Sequence, residues 1–279
     1  MIHTHGNVSL GIDTVGGNIT SFQVSGEHIF LPQQIIKEDG QLKVRGGSHI
    51  CFPNSGQLID GHPYELPRHG FVRDSAGKIK SSIIEPGDVE KYYNVKTNGA
   101  TPYVQYHFKY KGPEIEKDFP YPFKLVSNYI FLENGFLQQV IIVRRKRNHD
   151  EIPIGLGLHP YFNTEGRFVR ITFGNKPEYL HIGPQDEKIE NSHYPLWNKT
   201  NPNTEIEVLL KGKSVKVKYG GMFESCKTSQ LVIWRHNHQS PYICIEPIVC
   251  EAGDFAELGS PHLLPDESSV SAWMMVTVE

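Results

Sequence analysis

Three short clusters concentrate the side chains of this chain that can move protons or grip a polar ligand. The first runs Arg45-Gly46-Gly47-Ser48-His49-Ile50-Cys51-Phe52-Pro53 and continues at Pro67-Arg68-His69-Gly70-Phe71-Val72-Arg73-Asp74. The second is Gly155-Leu156-Gly157-Leu158-His159-Pro160-Tyr161-Phe162, and the third is Tyr242-Ile243-Cys244-Ile245-Glu246-Pro247. Glu246 is the sharpest anomaly. In extended backbone Tyr242, Cys244 and Glu246 share one face and Ile243 and Ile245 the other, so either face has the composition of a buried one. A carboxylate in such company is seldom left alone. It is either the buried partner of an arginine or a general acid or base, with a pKa that burial raises and nearby cations lower. His159 stands before Pro160, which biases it to extended backbone. It is either a satisfied core histidine at a strand end or an acid–base group projecting into a pocket. His69, beside Arg68 and near Arg73, has the same two readings. Arginine and histidine in a glycine-rich loop bind sugar hydroxyls or an anion, or simply lock the loop.

Other chemistry finds little support. His236-Asn237-His238 puts two imidazoles on one strand face, but Gln230 stands where a cupin needs glycine, and Tyr242 and Ile243 stand where it needs glutamate. A solvated loop or strand edge is the plainer expectation, and His3-Thr4-His5 suggests a frayed terminus. Cys51, Cys226, Cys244 and Cys250 form no C-x-x-C pair. The phosphate-binding loop, the dinucleotide fingerprint, the serine-hydrolase elbow and the zinc-protease helix motif are all missing from the sequence. No metal and no cofactor is expected.

Strands must do the positioning. Val104, Tyr106, Phe108 and Tyr110 alternate with Gln105, His107, Lys109 and Lys111, and Val215, Val217 and Tyr219 alternate with Ser214, Lys216 and Lys218. Period two over such lengths is the signature of half-buried strands. Phe123–Leu132, Leu137–Val143, Leu231–Trp234, Tyr242–Ile245 and Val270–Val278 add β-branched and aromatic runs, separated by turn signals such as Glu133-Asn134-Gly135 and Gly220-Gly221. No window sustains a helical stripe. Residues 46–74 and 176–203 break the pattern with His, Pro and Gly, and are expected as long loops, the first ordered by Ile50-Cys51-Phe52 and Phe71-Val72.

The chain has 279 residues, 28 Lys+Arg against 31 Asp+Glu, and 26 Gly with 19 Pro, which fits a turn-rich β protein and no polyanion partner. Its start lacks a basic and apolar leader, and no apolar run approaches a membrane span, so a cytoplasmic location and no membrane partner are expected. The expected architecture is all-β: one large antiparallel sandwich over residues 1–279.

The order of the clusters adds to this. Arg-Gly-Gly with Phe52-Pro53, then Pro67-Arg68-His69-Gly70-Phe71-Val72-Arg73, then Leu158-His159-Pro160-Tyr161-Phe162, then Ile245-Glu246-Pro247 and a closing strand with Trp273, resembles the aldose 1-epimerase family. The nearest branch is similar to the hexose-6-phosphate mutarotases. The resemblance implies a galactose-mutarotase-like β-sandwich and an isomerase that interconverts anomers of a hexose or hexose 6-phosphate. It implies His159 as general acid and Glu246 as general base, with Arg45, His69, Arg73 and Arg68 lining the sugar pocket. It implies no cofactor, a small-molecule partner and a monomer or weak dimer. Ring opening takes a proton from the anomeric hydroxyl and gives one to the ring oxygen, so an imidazole and a carboxylate must reach two oxygens on one carbon. Glu246 is expected to act ionised and His159 to act protonated, which gives a bell-shaped rate profile.

The sequence also departs from the family pattern. No aspartate in residues 176–203, Asp186 included, aligns with the pocket aspartate of the family. Ser48-His49 stands where an Ile-Pro pair is usual, which changes the pocket floor, and Pro265-Asp266 replaces a Pro-Gly turn. Arg45, Arg68 and Arg73 suit an anion, or hydroxyls, or pairing with Asp74 and Glu65, so the sugar is left open between free and phosphorylated forms. The alternative is a non-catalytic carbohydrate-binding protein on the same fold.

Overall fold

The computed structural model describes residues 1–62, 64–84, 91, 101–111, 119–144, 151–167, 169–173, 179–182, 189–195, 205–226, 229–249, 262–263 and 269–279. The expected alternation becomes pairing. Thr101–Tyr110 buries Val104 and Tyr106 and exposes Lys109, and it pairs with Phe123–Leu132, which pairs in turn with Gly135–Arg144. Glu133-Asn134 supplies the turn between the last two, within the Glu133-Asn134-Gly135 signal of the sequence, and Gly135 pairs with Leu132.

Two large sheets result among the described residues. One runs Ile2–His5, Val8–Ile12, Ile19–Val24, Ser48–Cys51, Gly157–Asn163, Tyr242–Ile248, Gln230–Arg235 and Ile189–Pro195, with Glu27–His28 attached to Ile19–Val24. The other runs Tyr179–Ile182, Val169–Phe173, Glu205–Leu210, Lys213–Gly221, Ser269–Val278, Gly135–Arg144, Phe123–Leu132, Thr101–Tyr110 and Lys78–Ile84. Neighbouring strands in both are antiparallel. The fold is an all-β antiparallel sandwich. Met222–Ser225 makes a single turn of α-helix, and no helix of the described residues is long and apolar enough to cross a membrane.

Aromatic rings fill the space between the sheets. Phe22 and Phe30 meet Phe136 of the opposite sheet edge-on at 4.8 and 5.9 Å, and Phe162 meets Phe30 at 5.1 Å. Each such pair adds about 0.5–1.5 kcal/mol beyond the area it buries. The buried Tyr129 hydroxyl donates to the Gly17 carbonyl, a tie between segments far apart in sequence. Tyr129→Phe leaves that carbonyl without its donor, and an equilibrium denaturation series should show a loss of about 1–3 kcal/mol.

Three local readings change. Residues 176–203 contain two strands, Tyr179–Ile182 and Ile189–Pro195, because pairing with Val169–Phe173 and Gln230–Arg235 overrides a proline-rich composition. The loop at 46–74 contains the strand Ser48–Cys51 and one 3-10 turn, Val72–Asp74. His3 and His5 lie in a paired strand against Val8–Ile12, so the start of the chain is held and not frayed. Asp186 and Pro265-Asp266 lie outside the described residues.

Candidate active site

Strand parity selects the residues of the site. In the first sheet Ile50, Leu158, Ile243 and Ile245 belong to the core between the sheets, so their odd-numbered or even-numbered alternates face the other way. His49 and His159 stand opposite one another across the ladder of Ser48–Cys51 and Gly157–Asn163. Tyr161 stands opposite Cys244, and Glu246 opposite Val232. The hairpin of Gln34–Glu38 and Gln41–Arg45 adds Arg45, and Ile36 packs it onto the cluster of Leu31, Tyr161, Tyr242 and Cys244.

Two glycines let the loops close in. Gly47 has φ +70°, and a Cβ there would overlap the Ile19 carbonyl. Gly70 has φ +71°, and a Cβ would overlap the Phe52 carbonyl. His69, next to it, is also left-handed at φ +66°, a conformation rare for a residue with a side chain. It is held by its own N–H to the Gly56 carbonyl at 2.8 Å and by the Gly56 N–H donating to its Nδ1 at 3.0 Å. That second bond places the proton of the neutral ring on Nε2.

All six residues singled out from the sequence, Arg45, Arg68, His69, Arg73, His159 and Glu246, line one cavity of about 480 Å³. His159 Nε2 lies 3.2 Å from Glu246 Oε1, with side chains 5% and 7% exposed. Among the described residues the side chain in contact range of Glu246 is thus an imidazole. The His159 ring stacks on His49 at 4.4 Å and on Tyr161 at 4.7 Å, while His69 meets it edge-on at 5.2 Å and Trp234 at 6.2 Å. His49, Tyr161 and Trp234 also line the cavity. The sequence flagged His49 only as a change of pocket floor. Its place beside His159 follows once Ser48–Cys51 is a strand in register with Gly157–Asn163.

Burial governs the charges. It pushes the Glu246 carboxyl up to about 8, with Arg68 opposing only in part. Burial, then the neighbouring His49 and His69 rings, hold His159 well below the ordinary histidine value. Burial and the Arg73 and Arg68 charges bring His69 down to about 3. Both shifts favour a neutral carboxyl beside a neutral ring at rest, so the acting forms expected from the sequence, an ionised Glu246 and a protonated His159, are reached by moving one proton from Glu246 to His159. The reason is desolvation, which disfavours two separated charges more than it disfavours one shared proton. Both arrangements hold the same number of protons, and one displacement across the 3.2 Å line interconverts them.

The arginines differ. Arg45 makes a close pair with Glu38 at 2.6 Å, Arg73 pairs with the exposed Asp74 at 3.2 Å, and Arg68 is exposed at the cavity wall. His236, within the expected loop pair, lies 3.2 Å from Asp39 and 4.0 Å from Glu38. Two donor groups, His49/Cys51/His69 and His159/Cys244/Glu246, have ligand atoms within 4.8 Å of one another. Burial pushes both thiols, Cys51 and Cys244, above their ordinary value, and neither lines the cavity.

A two-sheet β-sandwich with a polar cavity over its central strands is the galactose mutarotase-like architecture. The chain belongs to the aldose 1-epimerase family, whose sequence profile matches residues 2–269. The family is one of isomerases, and a mutarotase-type activity on a sugar follows from membership. No curated protein matches the sequence. Among solved structures the chain is similar to the Slr1438 protein of Synechocystis sp. PCC 6803, at 19% identity and TM-score 0.71, covering 100% of this chain and 94% of that one. It is similar to a galactose mutarotase related enzyme of Lactobacillus acidophilus at 17% identity and TM-score 0.71, covering 100% and 97%. It is also similar to galactose 1-epimerase of Lactobacillus acidophilus NCFM at 13% identity and TM-score 0.66, covering 99% and 92%. At these identities the likeness speaks for the fold.

Proposed function

We propose that residues 1–279 act as one mutarotase domain that interconverts the α and β anomers of a hexose, with the hexose 6-phosphate as the better substrate. The observation that carries this reading is the buried His159–Glu246 pair, 3.2 Å apart in the wall of a sugar-sized cavity. In the step itself Glu246 takes the proton of the anomeric hydroxyl while His159 gives one to the ring oxygen. The ring C1–O5 bond breaks as the C1 carbonyl forms, the aldehyde turns about C1–C2, and reclosure reverses the proton movements. A proton shift from Glu246 to His159 arms the pair for this sequence, and the neutral arrangement is the resting one. His69, neutral and with its proton on Nε2, serves as a hydrogen-bond donor to a sugar oxygen.

The phosphate preference rests on Lys43, Arg68 and Arg73 at the cavity wall, since guanidinium and ammonium groups suit phosphate oxygens. Asp74 offsets one of these charges, and Glu246 resists ionising. Polarimetry of freshly dissolved single anomers, comparing free and 6-phosphorylated glucose and galactose, tests both parts. Arg68→Ala should lower kcat/KM for the 6-phosphate by about 3–10-fold and leave the free sugar within about twofold. Equal losses on both substrates remove the phosphate assignment. A chain that binds the sugars without interconverting them is instead a carbohydrate-binding protein.

A further inference from the structure

The hairpin beside the cavity carries a charge arrangement that the proposed proton chemistry leaves unused. Glu38 is an acid on a short two-stranded hairpin, yet its side chain is only 4% exposed. Donors converge on it from two directions. Arg45 Nε and Nη2 approach Oε2 at 3.0 and 2.6 Å, and the Tyr242 hydroxyl donates to Oε1 at 2.7 Å. Burial alone would raise the Glu38 carboxyl, but the bonds from Arg45 and Tyr242 outweigh it and hold it low. The Arg45 guanidinium, so held, lies 5.5 Å from the centre of the Trp234 ring. Arg45 and Trp234 both line the cavity and Glu38 does not. Arg45 therefore stands between the acid and a ligand in the cavity.

We propose that Glu38 is a positioning residue that fixes Arg45 over Trp234 and presents it to the sugar as half of a neutral pair, a hydrogen-bond donor to a hydroxyl and not a bare cation. This rests on the sugar-binding reading above. The long arginine side chain is ordered before the ligand arrives, so its rotamer freedom is not lost on binding. Its charge is already met by Glu38, so a phosphate gains little at this wall and is left to the side of Arg68 and Arg73. A purely structural Glu38 would anchor the hairpin without either consequence.

Hexose binding and phosphate binding, measured separately by NMR titration and then by kinetics, decide the matter. Glu38→Gln keeps the shape and removes the charge. It should weaken hexose binding and raise KM by about tenfold with kcat within about twofold, the pattern of lost uniform binding. The unmasked Arg45 should make inorganic phosphate a competitive inhibitor about tenfold tighter than it is for the wild type. Glu38→Asp should recover part of the hexose affinity. If Glu38→Gln does not fold, Tyr242→Phe, which removes one donor and no charge, should raise KM about 2–3-fold with kcat kept. Wild-type hexose binding with unchanged KM and phosphate inhibition in the variants overturns the role of Glu38 alone. A wild-type chain that binds no hexose overturns the reading beneath it as well.

Discussion

Glu246→Gln lowers anomer interconversion by about 10²–10⁴-fold, the usual contribution of a positioned acid–base group. His159→Asn does the same, and the double variant is little worse than either single one, because two groups that exchange one proton fail as a unit. Sugar binding survives in all three, since glutamine and asparagine keep hydrogen-bonding groups on the wall. The geometry behind this is specific. Nε2 and Oε1 lie 3.2 Å apart, both side chains are nearly sealed from bulk water, and both groups line the same cavity. Each comes from a different strand, His159 from Gly157–Asn163 and Glu246 from Tyr242–Ile248, and the ladder between those strands fixes their separation. Stopped polarimetry on both single variants measures the loss. Variants that fold, bind sugar and turn over at the wild-type rate would remove the pair from the chemistry.

Wild-type stability falls as pH rises from about 7 to about 8, and Glu246→Gln abolishes most of that fall. Glu246 has a native pKa of about 8 against an ordinary 4.5. Between those values the unfolded chain has released a proton that the native one retains. The unfolded state then binds fewer protons, and stability decreases with pH across the window. The full cost is reached above about pH 8 and amounts to roughly 4–5 kcal/mol at most. The buried histidines act in the opposite direction. His49, His69 and His159 are all held below the ordinary 6.5, so below that pH the unfolded chain takes up protons that the native rings refuse. For these groups together, stability peaks a little below about pH 7. Melting temperatures over this range, for the wild type and for Glu246→Gln, test the sign. Parallel curves would show that Glu246 titrates as an ordinary carboxylate. The same value sets the alkaline limb of kcat/KM near 8, where the pair loses the proton it must donate.

Much of this was legible in the residues because strand alternation is a short-range signal. Val104 and Tyr106 against Lys109 announced a half-buried strand, and Tyr242, Cys244 and Glu246 against Ile243 and Ile245 announced a two-sided one. The clusters that converge on the cavity were visible as compositional oddities, although their convergence is a property of the sheet order. What the sequence does not show depends on tertiary contact. Glu38 sits among exposed neighbours such as Ile35 and Leu42, and only the hairpin folding over Tyr242 buries it. Trp234 reads as an ordinary strand aromatic until its register sets it beside His159. Tyr179–Ile182 and Ile189–Pro195 were hidden by prolines and by their shortness, and they exist because a neighbouring edge was available to pair with. The resting protonation of the pair is hidden for a related reason: ionisation follows burial, and burial is not written locally.

The most direct test is exchange NMR on an equilibrium mixture of anomers. With the total composition constant, the wild-type chain at micromolar concentration should add cross-peaks between the α and β anomeric protons, at rates far above buffer and strongest for hexose 6-phosphate. Line broadening that reports sugar binding, with anomer exchange no faster than in buffer, would contradict the account.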